Sequence, residues 1–112
     1  MSKKNTYIKI NISLDDNKVA EKIKWSAPDG GVEDKEAKAM FLSFWDTEKS
    51  ETLKMDLWVK EMPINDMKLF FYQNLVSLGE TYFKATNDNK SYKSIKKFLK
   101  EFAKEIELKS IK

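Results

Sequence analysis

The chain has 112 residues, of which 41% are hydrophobic and 35% charged, and its formal net charge is +3. This length and composition allow one hydrophobic core and predict a single domain, 1–112, with short flexible tails at 1–5 and 109–112. Cysteine, histidine and arginine are absent, so disulfides, thiol nucleophiles, histidine catalysis and two-point guanidinium contacts to bases or phosphates are excluded.

A β-hairpin is predicted first. Residues 6–14, TYIKINISL, alternate apolar and polar side chains at the period of a half-buried strand, and a polar turn follows at 15–17. A second strand continues to residue 27, although Glu21 interrupts its apolar side. The segment APDGG then contains two adjacent glycines that supply the positive φ of a tight reversal. The apolar parity of the second strand is formed by Val19, Ile23, Trp25 and Ala27.

A second hairpin is predicted across the turn TEKS, residues 47–50. Residues 37–46 fit either a helical stripe or a strand with two apolar faces. We favour the strand because residues 52–60 alternate as its partner would. That partner places Leu53, Met55, Leu57 and Val59 on one face, which we assign to the core.

Two helices are predicted after the strands. Pro63 is suited to a helix start, and apolar residues then recur at helical spacing to about Ala85. Asp88 or Asn89 is suited to cap a second helix from about Ser91. The expected fold is α+β: an antiparallel four-stranded sheet in two hairpins, with both helices packed on one of its faces. The helix residues expected to make this contact are Phe71, Leu75, Leu78, Tyr82, Ile95, Phe98, Leu99 and Phe102.

No residue pattern indicates catalysis, a metal or a cofactor. The polar clusters at 15–17 and 87–89 lack the glycine and distal glutamate of a calcium loop, and turn formation accounts for them. Paired carboxylates could serve acid–base chemistry, but each available one lies in a turn or on a polar face. These carboxylates are Asp29, Glu33, Asp34, Asp46 and Glu51.

Aromatic side chains carry the strongest functional signal. Two helices can cover one face of a four-stranded sheet, so the other face would expose more large apolar area than a soluble monomer usually does. We expect this face to bind a protein partner or a second copy of the chain. In the alternative, Phe41 and Trp45 belong to the core and Trp58 is a lone surface residue. The candidate interface consists of Tyr7, Phe41, Trp45 and Trp58.

A basic face is predicted on the last helix, opposite its apolar stripe. It is either a solvated surface or a site for an acidic partner or anionic surface. Phe98 and Phe102 lie on the apolar stripe rather than among the lysines, so nucleic-acid binding by base stacking is not expected. The candidate residues are Lys93, Lys97, Lys100 and Lys104.

Residues 1–5 lead directly into strand-like sequence without an apolar leader, and no stretch approaches the ~20 apolar residues of a membrane span. We therefore expect a cytoplasmic protein without a membrane span.

Three blocks resemble a known family: SAPDGGVEDKEAKAMFLSFWD at 26–46, ETLKMDLWVKEMPINDMKLFFYQ at 51–73, and ATND at 85–88. They are similar to the gliding motility-associated protein GldC of Bacteroidetes. This resemblance implies a cytoplasmic accessory protein of the gliding machinery, which is linked to type IX secretion, with gliding or secretion proteins as partners. It implies no catalytic residue. The order of strands and helices also resembles the export chaperone SecB, so the alternative is an oligomeric chaperone or adaptor for unfolded or exported clients.

Overall fold

A computed structural model of the chain describes residues 3–107, which divide into two compact units on either side of the boundary between Met62 and Pro63. The predicted tail at 109–112 and the first two residues lie outside the described residues. The α+β class is confirmed. The first unit contains β1 (Lys9–Leu14), β2 (Ala20–Ala27), a short 3-10 helix (Pro28–Gly30), β3 (Val32–Ala37), β4 (Ala39–Asp46) and β5 (Glu51–Trp58). The second contains α1 (Ile64–Thr86) and α2 (Asn89–Glu105).

The predicted single four-stranded sheet is wrong. Within residues 3–107, β1, β2 and β3 form one antiparallel sheet, and β4 and β5 form another. The chain leaves the first sheet at Ala37 and enters the second at Ala39, so β3 and β4 follow one another end to end. Strands arranged in this way cannot pair as a hairpin, and the two predicted hairpins therefore belong to different sheets.

A β-bulge at Glu21 explains why this residue interrupts the predicted alternation. Ser13 pairs with Lys22 but Leu14 pairs with Ala20, so Glu21 is the extra residue of β2. The bulge brings Ala20 onto the same side of the sheet as Ile23 although they are three residues apart. Glu21 itself stays exposed.

The core of the first unit is small and centred on Ile23, which is 1% exposed. Ala20 and Val59 complete the buried cluster. The Val59 N–H donates a hydrogen bond of 2.9 Å to the Lys38 carbonyl, which ties the end of β5 to the junction between β3 and β4. Partly buried residues pack around this cluster: Ile10, Ile12, Ala37, Met40 and Leu57.

Both helices begin within two residues of the predicted positions, and α1 ends one residue after the predicted end. Pro63 precedes the first turn of α1, and Asn87 ends the helix in the left-handed region, with φ 56°. The Asp88 carboxylate accepts a hydrogen bond of 3.0 Å from the Ser91 N–H and so caps α2. Its other oxygen accepts a 2.8 Å hydrogen bond from the Tyr82 hydroxyl, which links the cap to the last turns of α1.

Stability of the helical unit should depend on the ionisation of Asp88. The Ser91 backbone hydrogen bond, and after it the Ser91 and Tyr82 side chains, lower the pKa of Asp88 below its ordinary value of 3.8. A lowered folded-state pKa gives a stabilising contribution that is present above the ordinary value and is lost as pH falls through the folded one. We expect Asp88→Asn, a helix cap that cannot titrate, to melt below the native protein at neutral pH. This deficit should shrink below pH 3.8, as followed by helix ellipticity. A deficit that does not change with pH would contradict this role.

Candidate protein-binding surfaces

One face of the β4–β5 hairpin is apolar along its whole length. The register opposes Met40 to Leu57, Leu42 to Met55 and Phe44 to Leu53, so these cross-strand pairs share a face. No charged residue interrupts this surface until Asp46 and Glu51, which pair beside the turn. We call the six residues Met40, Leu42, Phe44, Leu53, Met55 and Leu57 the apolar hairpin face.

The apolar hairpin face is covered at one end and exposed at the other. Met40 and Leu57 pack against the core cluster, whereas Phe44 is 60% exposed and Leu53 and Met55 are each 51% exposed. Assigning this whole parity to the core was therefore wrong for the half near the turn. The sheet has only two strands, and its distal half extends past the small cluster around Ile23.

The opposite face of the same hairpin carries three of the four aromatic residues predicted as an interface. Trp45 and Trp58 are 65% and 56% exposed, and Phe41 is half-buried. The ammonium of Lys54 lies 6.0 Å from the Phe41 ring centroid and pairs at 3.1 Å with Asp56. This face therefore mixes aromatic and charged groups.

Tyr7, the fourth predicted interface residue, lies elsewhere. Its side chain is 61% exposed and lines a cavity beside Ser26 and Pro28, at the end of the three-stranded sheet. The structure thus brings Phe41, Trp45 and Trp58 onto one hairpin face and places Tyr7 two residues before β1, beside the three-stranded sheet. A partner-binding role for the four residues stays a prediction.

The two helices of the second unit lie side by side and leave a groove on each side of their contact. Gly79 approaches Ile95 so closely that a Cβ atom at position 79 would lie 2.9 Å from the Ile95 Cγ2 atom. The Phe83 and Tyr92 rings stack at 5.0 Å. One groove is almost wholly apolar, has a volume of about 500 Å³, and is lined by Leu75, Leu78, Gly79, Tyr82, Ser94, Ile95 and Phe98.

Several residues of this apolar groove were predicted as core and are instead exposed. Leu78 is 62% exposed and Phe98 50% exposed. Both line the apolar groove, while Leu99 of the same predicted set is buried, at 7% exposure. The periodic pattern identifies the apolar side of each helix but not which part of that side is covered.

The second groove has an apolar floor and a lysine rim, and we call it the lysine groove. Its volume is about 490 Å³. It contains Lys97 and Lys100 from the predicted basic face, whereas Lys93 and Lys104 are exposed on α2 outside its lining. The lining residues are Tyr72, Val76, Glu80, Tyr92, Lys96, Lys97, Leu99 and Lys100.

Lys96 was missed by the sequence analysis because it borders the apolar stripe. Its ammonium lies 4.7 Å from the Tyr92 ring centroid, a cation–π distance. Tyr92, Lys96 and Lys100 are spaced four residues apart and so follow one row of the helix surface. That spacing, read together with the stripe, was the available signal.

The carboxylates with displaced pKa values have local structural partners. Asp15 accepts hydrogen bonds from the N–H groups of Asn17 and Val19, which confirms its predicted turn role. It also forms an ion pair with Lys60. The hydrogen bond from Lys60 is the main cause that lowers the pKa of Asp15, and the same contact raises the pKa of Lys60.

Within residues 3–107 no group of three or more acidic, histidine or cysteine side chains is arranged to hold a metal ion. In that part of the chain neither helix combines the length and apolarity that crossing a bilayer requires.

Comparison with known proteins identifies a family. A family model described as "Gliding motility-associated protein GldC-like" matches residues 20–108, well over half of the chain. No curated protein and no solved structure matches significantly.

Proposed function

Because the chain belongs to the GldC-like family of gliding motility-associated proteins, we propose that it is a non-enzymatic, cytoplasmic accessory protein of the gliding machinery that acts by binding another protein. The family match confirms the resemblance seen in the three sequence blocks. The link to type IX secretion and the identity of the partner are part of the proposal.

The exposed half of the apolar hairpin face carries this proposal. Phe44, Leu53 and Met55 are adjacent through cross-strand pairing, and each is at least half exposed. A two-stranded hairpin is marginally stable by itself, so covering this face would stabilise both the hairpin and a complex. Large apolar side chains grouped on one face are typical anchors of protein interfaces.

The opposite hairpin face gives a second way to bind the same partner. Trp45 and Trp58 are exposed there, and tryptophan is enriched among residues that dominate binding energy. Since the two faces point in opposite directions, substitutions on one face can test its contribution to binding without changing the other face. Leu53→Ser combined with Met55→Ser removes the apolar anchors of one face, and Trp45→Ala combined with Trp58→Ala removes those of the other.

The test is affinity capture from native cytoplasm with each variant, together with a solution mass measurement. We expect the native protein to retain specific proteins of the gliding machinery, and the Leu53→Ser, Met55→Ser variant to lose them by at least tenfold. Each truncated side chain is half exposed, so folding should be preserved. If the native protein and both double variants retain the same proteins in equal amounts, neither hairpin face is the interface.

The chaperone alternative is favoured by one observation, the second apolar surface along the helices. Leu78 and Phe98 expose apolar area in the apolar groove without charged neighbours in its lining. A chaperone needs such unspecific apolar contacts for many unfolded clients. Suppression of aggregation of a denatured reporter enzyme at equimolar protein would support this function, and a lack of suppression together with specific capture would favour the accessory role.

A further inference from the structure

We propose that the lysine groove of the helical unit binds an acidic amphipathic segment of a protein partner. The floor of the groove is apolar, formed by Val76 and Leu99 with the ring of Tyr72. Lysines 96, 97 and 100 border it, against the single carboxylate of Glu80. An apolar floor with a positive rim is complementary to a segment that carries apolar side chains on one side and carboxylates on its flanks.

The lysines are available for a ligand. Within residues 3–107 no ion pair involves Lys96, Lys97 or Lys100. The contact of Lys96 with the Tyr92 ring holds its ammonium beside the groove. A carboxylate arriving there would meet an oriented cation, and less side-chain entropy would be lost on binding than for an unrestrained lysine.

The dimensions favour a short helical segment. Lys96 and Lys100 are four residues apart, which corresponds to a rise of about 6 Å along α2. Two glutamates at the same spacing in the ligand match that separation, and apolar side chains between them would face Val76 and Leu99. A groove of about 490 Å³ lies within the range of about 300–1,000 Å³ that is usual for binding pockets.

A protein segment fits the groove better than a membrane or a nucleic acid does. A membrane-surface helix buries its apolar stripe in lipid, but Ile95 of α2 already packs against Gly79 of α1, and Leu99 is already buried. Nucleic-acid binding would use an aromatic ring among the lysines for stacking, but Tyr92 is already stacked on Phe83. The concave apolar floor adds nothing to either of these ligands.

The lysine groove is a different surface from the apolar hairpin face, so this proposal can be tested independently of the proposed function. The probe is a fluorescent synthetic helical peptide of about three turns, with leucines on one side and glutamates on the flanks. Two matched peptides replace every glutamate with lysine or every leucine with serine. Binding to the full-length protein is measured by fluorescence anisotropy, and ellipticity checks that each protein variant is folded.

The decisive variant is Lys96→Glu combined with Lys100→Glu. Because it reverses two rim charges, we expect roughly a tenfold loss of affinity for the acidic peptide. Lys96→Gln combined with Lys100→Gln, which only removes the two charges, should lose less affinity. The control, Lys22→Glu with Lys49→Glu, changes the net charge equally in the first unit and should stay within about twofold of the native protein. The Leu53→Ser, Met55→Ser variant should bind the peptide normally, which separates failure here from failure of the proposed function.

The proposal is overturned by any of four results: no binding of the acidic peptide, equal binding of the all-lysine peptide, equal binding of the serine peptide, or equal losses in the control variant. Vesicles of phosphatidylcholine with and without phosphatidylserine, and a single-stranded oligonucleotide, are tested in parallel. Tighter, Lys96- and Lys100-dependent binding to either of these would assign the lysines to lipid or nucleic acid instead.

Discussion

Replacing Ile23 with alanine is expected to lower the free energy of unfolding of the first unit by about 2–5 kcal/mol. Ile23 is the largest side chain that the structure buries fully, at 1% exposure, and it lies at the centre of the cluster with Ala20 and Val59. Its truncation removes apolar contact area and leaves a cavity that strands held by backbone pairing cannot fill. In so small a core this loss is a large part of the total stability.

The measurement is denaturant unfolding followed by tryptophan fluorescence, because Trp25, Trp45 and Trp58 all lie in the first unit. Ile8→Ala is the matched control, since Ile8 is 70% exposed and the same atoms are removed. The control should change the unfolding free energy by no more than about 0.5 kcal/mol. If Ile23→Ala and Ile8→Ala lower the unfolding free energy equally, Ile23 is not the centre of the core.

The parts of the fold that the sequence predicts well are those with a strong local signal. Alternation in 6–14 and 52–60, the turn at 47–50, Pro63 before α1 and Asp88 before α2 correspond closely to the observed elements. Each signal depends on chemistry within a few residues, such as a carboxylate that caps the next N–H groups. Such a signal can therefore be interpreted without knowledge of the tertiary contacts.

β3 was not predicted, because its sequence, VEDKEA, has almost no apolar alternation. The strand forms by pairing with β2, where Ile23 faces Ala37 and Trp25 faces Lys35, and it leaves its charged residues exposed. Charged side chains on an edge strand discourage pairing with other chains. Only Lys38 separates β3 from β4, which is too short a connection for β4 to turn back and pair with β3, and β4 begins a separate sheet with β5.

The sequence predicts the apolar or basic character of the candidate surfaces but not where on the fold they are exposed. The pattern of β4 shows that both faces are apolar, but periodicity cannot tell which face meets the small core and how far along the strand this contact extends. Leu53 and Met55 were therefore assigned to the interior, although both are half exposed. Similarly, the basic face of α2 was readable from the spacing of its lysines, whereas the lysine groove exists only because α1 contributes Tyr72 and Val76.

Gly79→Ala tests whether the close contact of the helices requires glycine. An alanine at an exposed helical position would stabilise α1 by about 1 kcal/mol relative to glycine. At position 79, however, its Cβ would lie 2.9 Å from the Ile95 Cγ2 atom, which a β-branched side chain in a helix cannot easily rotate away. We expect overpacking to outweigh the propensity gain, with a net loss of about 1–2 kcal/mol in unfolding free energy.

The effect of Gly79→Ala on the unfolding free energy should change sign with the residue at position 95, which makes the prediction specific. Ile95→Ala removes the Cγ2 atom, so Gly79→Ala introduced into the Ile95→Ala protein should become stabilising by up to about 1 kcal/mol. Thr81→Ala, at an exposed position of α1, is the control for helix propensity and should stabilise slightly in both backgrounds. Chemical unfolding followed by helix ellipticity reports each change. If Gly79→Ala has the same effect with isoleucine or alanine at position 95, the glycine serves some purpose other than the close approach of α1 and α2.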